Sequence, residues 1–519
     1  MGIPAWVFAH RDTATKRPNE GNIMAGDFDN RSPNSVENSN KKKSILSTIW
    51  ALIGSLAWNG LVFFVIALMG STGGNALAIT SFNQGVENSK LHQNDKTIAD
   101  YTKAIELDPK SAEAYYNRGN AYGRLKQYDM AITDYTKAIE LEPKSAEAYY
   151  NRGIAYAKRK QFDKAIADFT KAIELDPKLA EAYNNRGNAY GKLKQYDKAI
   201  ADFTYSIELD PRLALAYYNR GNAYGELKQI EKAIADYTRA IELDPKYANA
   251  YYNRGNAYLR LQQFDKAIAD FTLAISLHPN FAMAYNNRGK AYLRLQQFDK
   301  AILDYTKAIE LEPKAAVAYI NRGTAYLRLQ QFDKAITDYN KAIELDPKSA
   351  EAYYNRGNAY SDLKQYDKAI LDYTKAIELD PKSAVAYSRR GFAYGELEQL
   401  DKASTDFTKA IEIDPKLAWA YNNRGNAYSD LKQYDKAIAD LTKAIELDPK
   451  LANAYYNRGN AYLGLQQYDK AIADYTKAIE LDPKDAVAYI GRGGAYLKVG
   501  KKKEAEADFA KAKMLNKGN

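Results

Sequence analysis

Apolar and small residues recur along this chain on two periods, one nested inside the other. The short period is the 3.6-residue spacing of an amphipathic helix. In residues 112–145 it selects Ala112, Ala114, Tyr115, Gly119, Ala121, Tyr122 and Leu125, then Tyr128, Ala131, Ile132, Tyr135, Ala138, Ile139 and Leu141. Each set predicts one helix, so the segment is a helix pair. Lys126-Gln127 marks the turn between them. Asp129 is placed to accept from the free amides that open the second helix. Pro143 ends the pair, because proline cannot continue the hydrogen bonding. Ser145 is expected to cap the next first helix.

The long period is 34 residues. It runs without insertion or deletion through units starting at 112, 146, 180, 214, 248, 282, 316, 350, 384, 418, 452 and 486, and a worn unit spans 78–111. A period of this length means one supersecondary unit stacked into a solenoid, each copy burying its apolar face against its neighbours. Near-identical runs, such as AYLRLQQFDKAI at 257–268, 291–302 and 325–336, point to duplication.

Counted within the unit, large aromatics stand at position 4, Gly at 8, Tyr at 11, Ala at 20, an aromatic at 24, Ala at 27 and Pro at 32. This pattern resembles the tetratricopeptide repeat, with Tyr where that family usually has Trp at position 4. The resemblance covers 78–519. It implies an all-α fold, a right-handed α–α superhelix of about 13 units, with the first helix of each pair on the inner wall. Small residues such as Gly119, Ala131 and Ala138 let helix backbones approach. The ends look like caps: the first unit has Ser81 at position 4, and the last has Lys517 in place of Pro.

One departure from the family is systematic. Position 7, usually Leu, is Arg from Arg118 to Arg492, and position 23 is Asp from Asp134 to Asp508. This predicts an ion-pair ladder joining the two positions within a unit or between adjacent units. Two separately solvated charges are the alternative. Exposed pairs of this kind contribute about 0–1 kcal/mol. Removing one partner of a buried pair costs roughly 3–5 kcal/mol.

The resemblance places position 6 on the groove. There the chain has Asn83, Asn117, Asn151, Asn185, Asn219, Asn253, Asn287, Asn321, Asn355, Asn423 and Asn457, broken by Arg389 and Gly491. An amide donates and accepts, so such a row can hold an extended peptide backbone without reading its side chains. It is similar to the asparagine ladder of O-linked N-acetylglucosamine transferases. Helix–helix geometry alone also explains it. Position 5 alternates Tyr (Tyr116, Tyr150, Tyr218, Tyr252, Tyr354, Tyr456) with Asn184, Asn286 and Asn422. Position 13 is basic at Arg124, Lys158, Lys192, Arg260, Arg294 and Arg328, then acidic at Asp362, Glu396 and Asp430. Unit 384–417 diverges most, with Ser388, Arg389, Phe392 and Ser404, and Trp419 follows. Arg389, Phe392 and Trp419 are a candidate binding hot spot; packing of Trp419 against a neighbouring repeat is the other reading.

Residues 1–43 form a polar leader without apolar period, expected to be disordered. Residues 44–70 hold an uncharged apolar run after Lys41-Lys42-Lys43, and Ile45 to Met69 is long enough to span a bilayer. Residues 71–77 read as a linker. The triple Lys predicts a cytoplasmic N-terminus with the repeats on the other side. A secretory signal cleaved after Ala78, at Ala76-Leu77-Ala78, is the alternative. Met24 competes with Met1 as the start.

Composition narrows the function. Of the net charge of +9, the first 77 residues carry +2 and the last unit +5, so units 78–485 carry only +2. That mixed surface does not point to nucleic acid. There is no cysteine, and the only histidines, His10, His92 and His278, are scattered. No carboxylate or metal-ligand cluster stands apart from the repeat. The reading is therefore a non-catalytic protein–protein interaction scaffold, membrane-tethered or exported, that binds extended segments in its groove. It needs no cofactor, metal or small-molecule substrate. Glycan or cell-wall polymer binding and assembly of a membrane complex are the alternatives. The carboxylate-clamp mode of the family wants Lys at position 5, which is absent.

Overall fold

The structure, a computed structural model, describes residues 73–517. The described residues hold 26 α-helices and no strand, in two bodies, 73–278 and 279–517. The worn first unit is α1 (Gly73–Lys90) and α2 (Asn94–Leu107). The next is α3 (Ala112–Arg124) and α4 (Tyr128–Leu141), and the pattern continues to α25 (Ala486–Lys498) and α26 (Lys502–Lys517). Each body is a solenoid of antiparallel helix pairs.

The segment expected as a linker is helical from Gly73 onward, so α1 starts before the repeat does. A cut after Ala78 would fall inside this helix. The leader and the 44–70 run lie outside the described residues. Among the described residues no helix is long and apolar enough to cross a membrane.

The turn inside each pair has one conformation throughout. Lys126 at position 15 has φ 59°, and its amide donates to Gly123 O while Gln127 N donates to Tyr122 O. This is the left-handed helix stop in which two orphan carbonyls find donors. Most units use Lys or Gln at this position and accept a backbone cost of order 1 kcal/mol; the last unit uses Gly500. Ser145 caps the following helix as expected, accepting from Ala148 N. Asp129 does not cap. Gln127 holds the N-cap position without a side-chain bond. The Asp129 carboxylate lies in the first turn, where the helix dipole favours it, and pairs with exposed Arg159 at 3.0 Å.

Small residues set the helix spacing. Ala114, Ala121 and Ala131 are fully buried, with Tyr135 filling the space beside them. A Cβ on Gly119 would stand 2.8 Å from Cε1 of Tyr135, so this ring lies directly on the backbone of α3. Consecutive first helices also pack on each other, more closely than consecutive second helices do. Within each body the first helices therefore form the inner wall.

The predicted ion-pair ladder forms, and it forms within units. Nε and Nη2 of Arg118 donate to the two carboxylate oxygens of Asp134 at 2.7 and 2.8 Å. The same two-pronged pair recurs through Arg254–Asp270 in the first body and from Arg288–Asp304 to Arg492–Asp508 in the second. These aspartates are only 4–8% exposed. The third arm of the guanidinium reaches backward: Arg118 Nη1 donates to Thr102 Oγ1, at position 25 of the preceding unit, at 3.0 Å. Arg254 does the same to Thr238, and Arg356 uses Asn340. Tyr115 and Tyr122 lie 5.6 and 6.0 Å from the Arg118 guanidinium carbon, one on each side along the helix. One cation thus joins both helices of a unit to the unit before. The worn unit has Gln84 at position 7, and its Asp100 takes Asn88 Nδ2 instead, at 2.6 Å.

A buried aspartate left without its guanidinium costs roughly 3 kcal/mol or more. Arg254→Ala and Asp270→Ala should each lower stability by about that much. In a double-mutant cycle read by urea denaturation, their coupling should exceed about 1 kcal/mol. Coupling near zero would mean that the two charges act independently.

Candidate functional site

The inner wall is built from positions 5, 6, 9 and 13 of the first helices. Position 6 was expected to offer a row of amides to a ligand. Many of these amides are engaged sideways. Asn151 Nδ2 donates to Tyr116 Oη at 2.9 Å and to Asn120 Oδ1 at 3.1 Å, both in the preceding unit. Asn253 repeats this with Tyr218 and Asn222. Asn185 donates to Tyr150. Where position 5 is Asn, the contact is amide to amide: Asn219 to Asn184, Asn321 to Asn286 and Asn457 to Asn422, at 2.9–3.1 Å. Each rung is thus also a lateral bond between neighbouring first helices. Asn286 and Asn287 bond each other, with Asn286 Nδ2 donating at 3.1 Å.

Position 9 completes the rung, and the sequence reading passed over it. Asn120 Oδ1 accepts from Tyr135 Oη at 2.7 Å as well as from Asn151. Tyr237 and Tyr373 bond Asn222 and Asn358 in the same way. The signal was available: Asn recurs at position 9 at Asn120, Asn188, Asn222, Asn256, Asn358, Asn426 and Asn460. Burial pushes the phenols of Tyr135 and Tyr218 up from their usual range, so they stay neutral and keep their hydrogens.

Asn117 and Asn355 are among the ladder residues that are not stitched to the preceding unit. Asn117 follows Phe82 and Val86, and Asn355 follows Ile320 and Thr324, at positions 5 and 9 of the preceding unit. Neither asparagine has a side-chain hydrogen bond, and both are partly exposed on the wall.

Unit 384–417 breaks the rung. Ser388 replaces Tyr or Asn at position 5 and is one bond too short to meet Asn423, while Phe392 removes the acceptor at position 9. Ser388 Oγ and Asn423 Nδ2 are left buried without partners, as is Asn457 Oδ1. Trp419 packs against the clusters that hold Phe407 and Ala403, and Ile411 and Leu417. Phe392 joins the same cluster, with Tyr366 edge-on at 6.3 Å. Arg389 sits near enough to Tyr373 to oppose the upward shift that burial imposes on its phenol. The structure thus places Phe392 and Trp419 together in a partly buried apolar cluster.

In the first body, position 13 carries Arg124, Lys158, Lys192 and Arg260, interrupted by Glu226. Arg124 reaches Asn94 and Ser89 of the unit before it. In the second body, Arg294 and Arg328 give way to Asp362, Glu396 and Asp430. Tyr366 Oη donates to Glu396 at 3.0 Å, and burial pushes the Asp430 carboxyl up. Among the described residues no group of three metal-ligating side chains comes together.

The helix pairs and their phased small residues define a class of repeat protein, and comparison with known families agrees. The tetratricopeptide repeat matches residues 112–145, 146–179, 180–213, 214–247, 248–281, 282–315, 350–383, 418–451 and 452–485, with related repeat descriptions covering 90–126, 304–337, 325–364, 372–403, 396–432 and 486–519. The chain belongs to the tetratricopeptide-repeat family, whose fold is generally a non-catalytic scaffold that binds proteins or peptides. No curated protein matches it. Among solved structures, it is similar to the APC/C hetero-tetramer Cut9-Hcn1 at 16% identity and TM-score 0.42, covering 85% of this chain and 94% of that one. Yeast Tom70 gives 23% and 0.36, covering 78% and 92%. YrrB, described as a protein with an unusual peptide-binding site, gives 29% and 0.32, covering 36% and 95%.

Repairing the broken rung tests this geometry. Ser388→Asn supplies the acceptor found at Asn184, Asn286 and Asn422. It should stabilise the protein by about 1 kcal/mol, read as a higher midpoint in urea. No change would show that Asn423 already has a partner in solution.

Proposed function

We propose that this protein is an interaction scaffold that holds extended segments of partner proteins along the inner wall of its first helices. The observation that carries the reading is the remaining hydrogen-bonding capacity of the rungs. Asn120 spends its oxygen on Tyr135 and Asn151, and Asn151 spends its NH2 group on Tyr116 and Asn120. What remains at this rung is the second NH2 hydrogen of Asn120, whose first meets Tyr116, and the oxygen of Asn151: one donor and one acceptor. A peptide group needs one of each. Tyrosines at position 5 stiffen this wall and supply amphipathic surface.

The same array is tethered, in this reading, by the apolar run 44–70, with the repeats on the far side of the membrane from the N-terminus. The support is the run's length and the flanking Lys41-Lys42-Lys43. The full-length chain should stay with membranes after extraction at alkaline pH, with its N-terminal sequence intact. A released protein beginning at Ile79 would favour the cleaved alternative.

Asn117→Ala and Asn355→Ala remove wall amides without removing an inter-repeat bond. The double variant should melt like the parent and lose at least fivefold in affinity for partner proteins captured by immobilised 79–519. Cell-wall polymer retained equally by both forms, with no protein captured, would favour the glycan reading.

A further inference from the structure

One rung of the first body opens into a cleft. It lies between units 214–247 and 248–281, has a volume of about 90 Å³, and is lined by Asn222, Gly225, Ile230, Tyr237, Asn253 and Arg260, among others. Three residues of unit 214–247 shape its lining. Gly225 stands at position 12, where Leu259, Leu293 and Leu327 stand elsewhere. Ile230 stands at position 17, where Tyr128, Phe162 and Tyr196 carry rings. Glu226 interrupts the basic row at position 13. Of the units with Asn at position 9, this one alone combines Gly at 12 with no ring at 17.

The lining has a definite hydrogen-bonding character. Asn222 Oδ1 accepts from Tyr237 Oη at 2.9 Å and from Asn253 Nδ2 at 2.8 Å. Asn253 gives its other hydrogen to Tyr218 Oη at 3.1 Å. The NH2 of Asn222 meets Tyr218 Oη with one hydrogen and keeps the other, and the oxygen of Asn253 accepts from no side chain in the lining. The charged members are one of each sign, and both are engaged. Glu226 accepts from Tyr196 Oη at 3.3 Å, and Arg260 Nη1 donates to Gly225 O at 3.3 Å. The site therefore offers a neighbouring donor and acceptor, an apolar floor from Ile230 and Ala233, and no net charge to favour an ion.

We propose that this cleft is a pocket for a neutral carboxamide, taking in the protein the side chain of an Asn or Gln in a docked segment. The carboxamide C=O accepts from Asn222 and its NH2 donates to Asn253. An ammonium cannot accept and a carboxylate cannot donate, so either leaves one wall group unmet at a cost. The assignment of the occupant rests on the peptide-groove reading; the pocket itself does not.

The test uses the full-length chain with labelled isoleucine δ-methyl groups, the Ile230 signal being assigned by its loss in Ile230→Val. Propionamide, propionate and propylammonium are the probes. Propionamide should shift the Ile230 methyl with a dissociation constant at least tenfold below that of either ion. Gly225→Leu installs the neighbours' residue; a Cβ there meets only Tyr237 Oη, at 3.7 Å. That variant should melt like the parent and lose the shift. If it does not fold, Ile230→Phe, read by saturation transfer to propionamide, takes its place and should also lose binding. No propionamide response, equal response to all three probes, or a shift that survives filling of the cleft overturns the proposal. Because no peptide is used, failure here leaves the groove reading standing. Loss of the Asn117/Asn355 effect, in turn, would leave this pocket intact.

Discussion

The planar guanidinium at position 7 is the constraint on which the array depends. It has donors fixed in one plane. Two grip both oxygens of the position-23 aspartate in the partner helix, and a third reaches a hydroxyl in the preceding unit. Three helices are thereby held at set distances by one side chain. The usual leucine at this position would give contact without direction. Lysine would give charge without the fork. The aspartate, nearly stripped of water, is tolerable only because it is met on both oxygens. Directionality is what lets near-identical units stack in one register.

The amide rungs build on that register. A bond from Asn151 to Asn120 needs neighbouring first helices to sit at a fixed offset and rotation. The arginine staple on the same helix supplies both. The staple is closed to ligands, because its acid is buried and its cation is bonded on three arms. The rungs keep capacity in reserve. The fold thus separates a face that holds the stack together from a face that can meet something else, using charged groups for the first and neutral ones for the second.

Much of this was legible in the sequence. Periodicity gave the helix pairs, Pro143 and Ser145 gave their ends, and the joint replacement at positions 7 and 23 gave the ion pairs. What escaped needed distances. The side-by-side role of Asn151 and Asn253 depends on which neighbour lies within 3 Å, and a periodic pattern cannot say whether an amide points at a ligand or at the next helix. Position 9 escaped because its asparagines are interrupted by Ile154, Lys290, Thr324 and Phe392. Asp129 was misread because aspartate near a helix start can cap or merely sit in the first turn, and the choice depends on one residue of register. The cleft beside Ile230 could not be read at all from an average repeat, since it is made by departures from that average.

The staple also has a direction. Within each body the arginines reach back by one unit and never forward, so each such joint is completed by the later of its two units. Gln84 stands in the first described unit in place of Arg, and Ala510 stands in the last in place of the position-25 hydroxyl. Those are the two half-joints with no counterpart among the described residues. Such a molecule obeys an arithmetic of length. Gain or loss of one whole unit keeps these joints in register, whereas a change of length between positions 7 and 23 of a unit strands a buried acid. Recombination between near-identical runs can therefore reset the reach of the groove in steps of one unit, with each product as well knit as its parent.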